Sequence, residues 1–380
     1  MANVLTDLAA DIYKAADTVG REVVGFIPSA TINAETSRVA MNDTVRSHFT
    51  RTATVGNTTA SMTIPEGTDQ TVDNKTLTID NSRSVQIPWT GEDIKSVNNG
   101  AGFSTIYGDQ IAQAMRALTN EIEQDLWQEA YRNASRAVGT AGTTPFASNF
   151  NAIAEATQIL RDNGTPQNDG RLSLIINTAA GTKLRNLAQL QKANESGSTA
   201  LLRQGMLLDL QGCMIRESGQ VGVHTAVGSD DHIVNGAVAI NGSTLTVDGT
   251  QTTDCAAGDI IQLSGDTTRN YVVHNQTSTA SIVLGTPGIQ VAAANDETIA
   301  VGASYTPNVL VHQGAIELAA RAPATPDGDA AVDSMLVQDP HSGLVFELRV
   351  YKGYRKAMFE VACAWGVKAW KPDNIALLMG

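Results

Sequence analysis

The side chains best suited to chemistry in this 380-residue chain fall in small, separated groups. Asp230, Asp231 and His232 offer carboxylate and imidazole ligands in succession, and Asp339 with His341 offers a second set. A metal ion needs donors that converge, whereas adjacent residues point apart, and no further His or Cys follows at ligand spacing. The run Asp339-Pro340-His341-Ser342-Gly343 reads instead as a turn. Cys213 with His224 is a conceivable nucleophile and base. Nothing flanks the cysteine as an activated thiolate requires, so a buried structural thiol is the reading. Tyr351, Lys352, Tyr354, Arg355 and Lys356 form a basic-aromatic cluster on alternating strands, where one face is normally solvated. No P-loop, GxGxxG, GxSxG or HExxH pattern occurs. The sequence therefore assigns no catalytic residue, no metal ligand and no cofactor, and the chain does not read as an enzyme.

The bulk properties agree with a structural role. Hydrophobic residues make up 42% of the chain, enough for a large core in two or three domains, and charged residues only 17%. A net charge of −13 opposes nucleic-acid binding by phosphate neutralisation, but not the enclosing of nucleic acid without gripping it. Cys213, Cys255 and Cys363 lie far apart, which suits a reducing cytosol better than a disulfide framework. The N-terminal stretch lacks the basic start of a signal peptide, and Asp7 and Asp11 interrupt its apolar run. No segment has the roughly 18–20 apolar residues of a membrane span.

The element that must organise the rest is residues 105–137. Ile111, Met115, Leu118, Ile122 and Leu126 recur at three- and four-residue steps and form one apolar helical stripe, with Gln113, Arg116, Asn120, Glu121, Gln124 and Gln128 off it. A helix of that length extends about 45–50 Å, and its stripe is too diluted by Ala and Gln for a coiled coil. It reads as a spine, with its polar face towards a neighbouring subunit. Residues 3–20 read as a second amphipathic helix that docks on its own body or on a neighbour. Residues 44–90 read as a long two-stranded hairpin with a Pro-Gly-rich tip, which needs a foreign surface to lie on.

After the spine come the helix of FNAIAEATQILRDNG closed by Gly164, the buried strand LSLIIN, a helix over TAAGTKLRNLAQLQKAN, and a helix and strand over ALLRQGMLLDLQGCMIRES. From Gly222 to Thr306 short β segments alternate with Gly, Asn-Gly and Asp-Gly turns. Arg269 is the only strong base there against eight acids, a net of −7. This shift marks an inserted β-barrel or sandwich. LVFELRVYKG and KAMFEVACAWGVKAW then form an antiparallel pair around Gly353, and DNIALLMG packs inward.

These pieces resemble a known family. NVLTDLAADIYKAADTVGREVVGFIPS, TVRS at 44–47, NNG at 98–100, DQIAQAMRALTNEIEQDL, HQGAIELAARAP, DPHSGLVFELRVYKGYRK and AWGVKAWKPDNIALLMG look like tailed-phage major capsid proteins, in particular the coat proteins of short-tailed phages of the "P-twenty-two" type. The resemblance covers nearly the whole chain, least closely between Gly222 and Thr306. It implies an α+β fold of the Hong Kong 97 type. An N-terminal arm is expected at 1–43, an extended loop at 44–90 and a peripheral domain at 91–149. An axial domain at 150–221 is interrupted by the inserted β-domain at 222–306 and returns at 307–343, before peripheral strands at 344–380.

The function implied is that of a major capsid protein in the icosahedral, T=7 head of a tailed phage, assembled in the host cytoplasm. Its partners would be its own copies in pentamers and hexamers, a scaffolding protein, a portal protein and decoration proteins, around double-stranded DNA held without specific contacts and with no membrane. Some capsids of this fold crosslink covalently. Lys75 lies in the extended loop, where an exposed lysine is ordinary, and no bond is assigned to it. The single base of the inserted span means that any inter-subunit ion pairs from it use its carboxylates. An encapsulin-like compartment shell is the alternative of the same fold, and a β-rich adhesin the alternative of another class.

Overall fold

The computed structural model describes residues 20–33, 37–50, 55–64, 72–98, 103–167, 169–192, 209–228, 231–248, 253–278, 281–326 and 328–380. The helix expected at 3–20 lies outside the described residues. In chain order come β1 (Thr31–Asn33), β2 (Thr44–Thr50), β3 (Val72–Thr78), β4 (Asn81–Thr90), α1 (Gly91–Asn98) and α2 (Phe103–Arg132). Next are β5 (Arg136–Gly139), α3 (Asn151–Asp162), β6 (Leu172–Asn177), α4 (Thr178–Arg185), α5 (Ala188–Gln191) and β7 (Met214–Ser218). Then follow β8 (His232–Val234), β9 (Thr244–Asp248), β10 (Ile260–Leu263), β11 (Asp266–Ser278), β12 (Ser281–Leu284) and β13 (Thr298–Val301). The last strands are β14 (Pro307–His312), β15 (Ile316–Arg321), β16 (Ala331–Gln338), β17 (Val345–Gly353), β18 (Lys356–Ala369) and β19 (Ile375–Met379).

The spine is α2, a helix of 30 residues and hence about 45 Å long. Met115, Leu118, Ile122 and Leu126 are buried as the stripe requires, joined by Trp127, Ala130 and Tyr131. The helix stops at Arg132 and not at 137. Residues 136–139 are recruited as β5, which pairs in parallel with β19 and antiparallel with β11, and sheet pairing there overrides helical periodicity.

One sheet of six strands runs β1-β15-β18-β17-β16, with β4 on the other side of β18. This corrects the expected hairpin. Only residues 44–50 and 72–78 pair with each other, as β2 and β3. Residues 81–90 turn away and pair with β18 over ten positions, because the kink at Ile79 and Asp80 separates two strands that read as one run of Thr, Val and Ile. The hairpin β17–β18 forms as expected, with Tyr354 and Arg355 at its turn.

A second sheet of eleven strands runs β10-β13-β8-β9-β12-β11-β5-β19-β14-β6-β7. Its last part explains why LSLIIN reads as a continuous apolar run. Val309, Val311, Ile375 and Leu377 face the core under α2, whereas Leu310, Ala376 and Leu378 face α3 and α4, so both sheet faces are buried. Two expected boundaries move accordingly. Within 307–343, only β14 joins β6, while β15 and β16 belong with β18 and β17. Within 344–380, β19 leaves the six-stranded sheet and inserts between β5 and β14. The helix expected over TAAGTKLRNLAQLQKAN is broken at Asn186 and Leu187 into α4 and α5.

Strands β8 to β13 close on themselves. The pairings β10–β13, β13–β8, β8–β9, β9–β12, β12–β11 and β11–β10 are all antiparallel and make a ring. Its core, with Val234, Leu245, Ile261, Tyr271, Ile282 and Ile299, is drawn from residues 234–301. The barrel rests on the C-terminal end of α2. Gly258 has φ +98 and stands where a Cβ would overlap the Tyr131 ring, while Tyr305 donates its hydroxyl to the Gly258 carbonyl at 2.8 Å.

Candidate functional site

The groups proposed for chemistry are scattered by this fold. Cys213 is buried beside Thr157 under α3, and burial pushes its thiol up. His224 is elsewhere, at the root of the barrel, with Nε2 2.7 Å from Asp259. Burial raises the Asp259 carboxyl, but His224 and the N–H groups of Ala256 and Gly228 more than offset this and hold it below the usual range. His232 is buried in β8, Asp231 sits at the turn before it, and Asp230 lies outside the described residues. Among the described residues, no group of three or more His, Cys, Asp or Glu is arranged to hold a metal ion.

Asp339 and His341 do form a turn, and both hold another segment. Asp339 is buried, receives Arg21 Nη1 and Nη2 at 3.0 and 2.6 Å, and is held below the usual carboxylate range despite its burial. The His341 Nε2 lies 2.8 Å from the Glu22 carbonyl. The basic-aromatic cluster is the exposed tip of the β17–β18 hairpin, where Tyr354 is 90% exposed. Lys75 is not a free loop lysine: its ammonium donates to the Trp370 carbonyl at 2.7 Å and stands over the indole.

Several polar side chains of α2 are used inside the chain. Glu22 receives Asn120 at 2.9 Å and is paired with Arg116, which brings its carboxyl down to about 2. Asp125 receives Asn81 and Trp365, and Glu129 receives the Ala369 N–H at 3.0 Å. Glu123, wholly buried, accepts the N–H groups of Gly25, Phe26 and Ile27 at 2.5, 2.8 and 3.0 Å. Its burial raises the carboxyl, and those donors together with the Ser218 side chain offset this only in part. So Arg116 and Asn120, expected to face a neighbour, are taken by the chain's own residue 22. Glu121 and Gln124 remain exposed. Sequence reading passed over Glu123. The available signal was the four-residue row Met115, Thr119, Glu123, Trp127, which runs along the buried side.

Part of what the chain leaves uncovered is apolar. In residues 55–64, Val55, Met62 and Ile64 are almost fully exposed, and on the edge strand β16 Val332, Met335 and Leu336 are more than half exposed. An edge strand with exposed apolar side chains invites a partner. No helix among the described residues is long and apolar enough to cross a membrane.

No family model matches the sequence, and no curated protein matches it. Solved structures do match the fold. A chain from Mycobacterium phage Che8 aligns with a TM-score of 0.51 at 14% identity, covering 99% of this chain and 98% of that one. The capsid of cyanophage P-SCSP1u aligns at 0.52 with 11% identity, over 98% and 92%. The chain has a phage-capsid fold. The capsid of a native GTA particle shares it, with a TM-score of 0.50 and 10% identity over 97% and 94% of the two chains.

Proposed function

We propose that this chain is the major capsid protein of a tailed phage, with a Hong Kong 97-type fold close to the "P-twenty-two" coat proteins. The observation that carries the reading is the capsid fold over nearly the whole chain, combined with apolar surfaces at 55–64 and on β16 that a single subunit leaves in water. Copies meeting through different patches form rings of five and six, and many modest contacts sum across a closed shell. In this reading the β2–β3 excursion is the extended loop, α2 and the six-stranded sheet are the peripheral domain, and β6, β7, β14 and β19 with α3 and α4 are the axial domain. The barrel at 222–306 is the inserted domain. The shell stands in the virion, is assembled in the host cytoplasm with scaffolding and portal proteins, accepts decoration proteins outside, and encloses double-stranded DNA. The acidic balance of the chain suits an inner wall that does not trap the genome.

The test is expression of the chain alone and with the scaffolding protein of its own genome, followed by negative-stain imaging. Closed shells are expected, and their diameter reads the T=7 geometry. Monomers or dimers under both conditions overturn the proposal.

A further inference from the structure

Between Arg21 and Ile27 the chain is fastened to the subunit at three successive points, each built on a carboxylate. Arg21 is held by Asp339, Glu22 holds Arg116 and Asn120, and the N–H groups of Gly25, Phe26 and Ile27 converge on Glu123. The third point differs in kind. Phe26 has helical dihedrals (φ −79°, ψ −43°) and opens the short turn Ile27–Ser29, so three consecutive N–H groups point one way. That is the arrangement by which a helix start or nest binds an anion, and here the anion is a side chain of the spine. Gly25 must be glycine at this approach, because a Cβ would lie 2.8 Å from both the Glu217 carbonyl oxygen and Ile175 Cγ2. Ser29 adds its hydroxyl to the Gly25 carbonyl at 2.7 Å.

A buried carboxylate left with the Ser218 side chain as its remaining hydrogen-bond partner is costly, and so are three buried N–H groups stripped of their acceptor. The contact therefore opens as a unit. Beyond it the chain stays on its own subunit, through β1 on β15, Arg38 on Glu347 and Val39 against Pro323.

We propose that Glu123 is a latch that seats residues 21–30 on the spine as one unit, and that it sets the root of the N-terminal arm at Gly20 and not at residue 43. The latch is a property of the single chain. Only the word arm rests on the capsid reading, so the two can fail separately.

The experiment is hydrogen exchange and limited trypsin cleavage on the unassembled full chain, wild type and Glu123→Gln, with particle yield measured in parallel. In the wild type, the amides of Gly25, Phe26 and Ile27 should exchange as slowly as those of Val309 and Val311, and the bond after Arg21 should resist trypsin. In Glu123→Gln, which keeps the size but replaces an acceptor oxygen by a donor, exchange at 25–27 and cleavage after Arg21 should rise together by about tenfold or more, with Val309 and Val311 unchanged. Unchanged protection at 25–27, or opening there while Arg21 stays resistant, overturns the latch. If Glu123→Gln does not fold, the wild type still decides: fast exchange at 25–27 or ready cleavage after Arg21 overturns it. An opened latch with undiminished particle yield overturns the assignment of the arm's root.

Discussion

The indole N–H of Trp365, in the last third of β18, donates to the carboxylate of Asp125, in the last quarter of α2, at 2.8 Å. The same carboxylate oxygen receives Asn81 at 2.9 Å from the first residue of β4, so one acid on the spine holds two adjacent strands of the six-stranded sheet. Trp365→Phe keeps most of the buried area and removes one donor. It should cost about 1–2 kcal/mol, read as a lower urea midpoint with an unchanged slope. A double-mutant cycle with Asp125→Asn should show coupling between the two sites. Additive losses would mean that the bond contributes nothing of its own.

Leu118, 2% exposed under the spine, tests whether the stripe is the core face. Leu118→Ala should destabilise by about 2–5 kcal/mol through lost contacts and a cavity. Leu118→Asp should leave the chain insoluble, since a buried carboxylate would find no partner on an apolar stripe. Soluble, assembled Leu118→Asp particles would show that the stripe faces water.

Met62 and Ile64 should behave in the opposite way. Both are exposed, so Met62→Asp with Ile64→Asp should leave thermal unfolding within about 0.5 kcal/mol of wild type. Shells should nevertheless fail to form, read as a shift from particles to subunits in sedimentation. Normal shells from the double variant would remove 55–64 from the assembly contacts.

Acid should loosen the N-terminal fastening in a defined window. The Arg116 guanidinium brings Glu22 down to about 2 from its ordinary 4.5, and Asp339 is lowered too. For both, the unfolded chain binds protons more readily than the folded one, so their contribution is present above the ordinary carboxylate value and is lost as pH falls towards the lowered one. Glu123 is raised and acts in the reverse sense. The stability lost between about pH 5 and about pH 3 should be smaller in Glu22→Gln than in the wild type. Equal losses would separate Glu22 from the effect.

Gly258→Ala examines the seat of the barrel. Positive φ and the approach of Tyr131 both oppose a Cβ, and a loss of about 2 kcal/mol or more is expected. Tyr131→Leu in the same background should recover part of it by yielding space. No recovery would leave backbone strain as the whole cost.

The sequence announced what local repetition controls. The stripe of α2, the helix α3, the doubly buried β6 and the β17–β18 hairpin all follow from three- and four-residue or two-residue spacing, while turns and charge read 222–306 as a barrel or sandwich and leave open which of the two β8 to β13 form. Partners chosen at long range were not legible. Nothing in KTLTIDNSRSVQIPWT says that its halves pair with different strands, and nothing in IALLM says which sheet it enters. Nor does a lone acid in a helix declare its donors: Glu123 looks like any surface glutamate until residues 25–27 are laid across it. Lys75 misleads for the same reason, since its ammonium is claimed by Trp370, 295 residues away.

The position of β19 has a consequence for how the subunit comes into being. It follows every other strand in chain order, yet it lies between β5 and β14, with Leu377 paired to both Ala137 and Val309. Without residues 375–379 the sheet itself is two pieces, the barrel with β5 and the layer of β14, β6 and β7, each with a raw strand edge. Completing this sheet must then wait until β19 has been made, and a nascent chain that lacks it exposes the kind of edge that seeds aggregation. The same strand that completes the sheet thereby sets the earliest moment at which the eleven strands can close up.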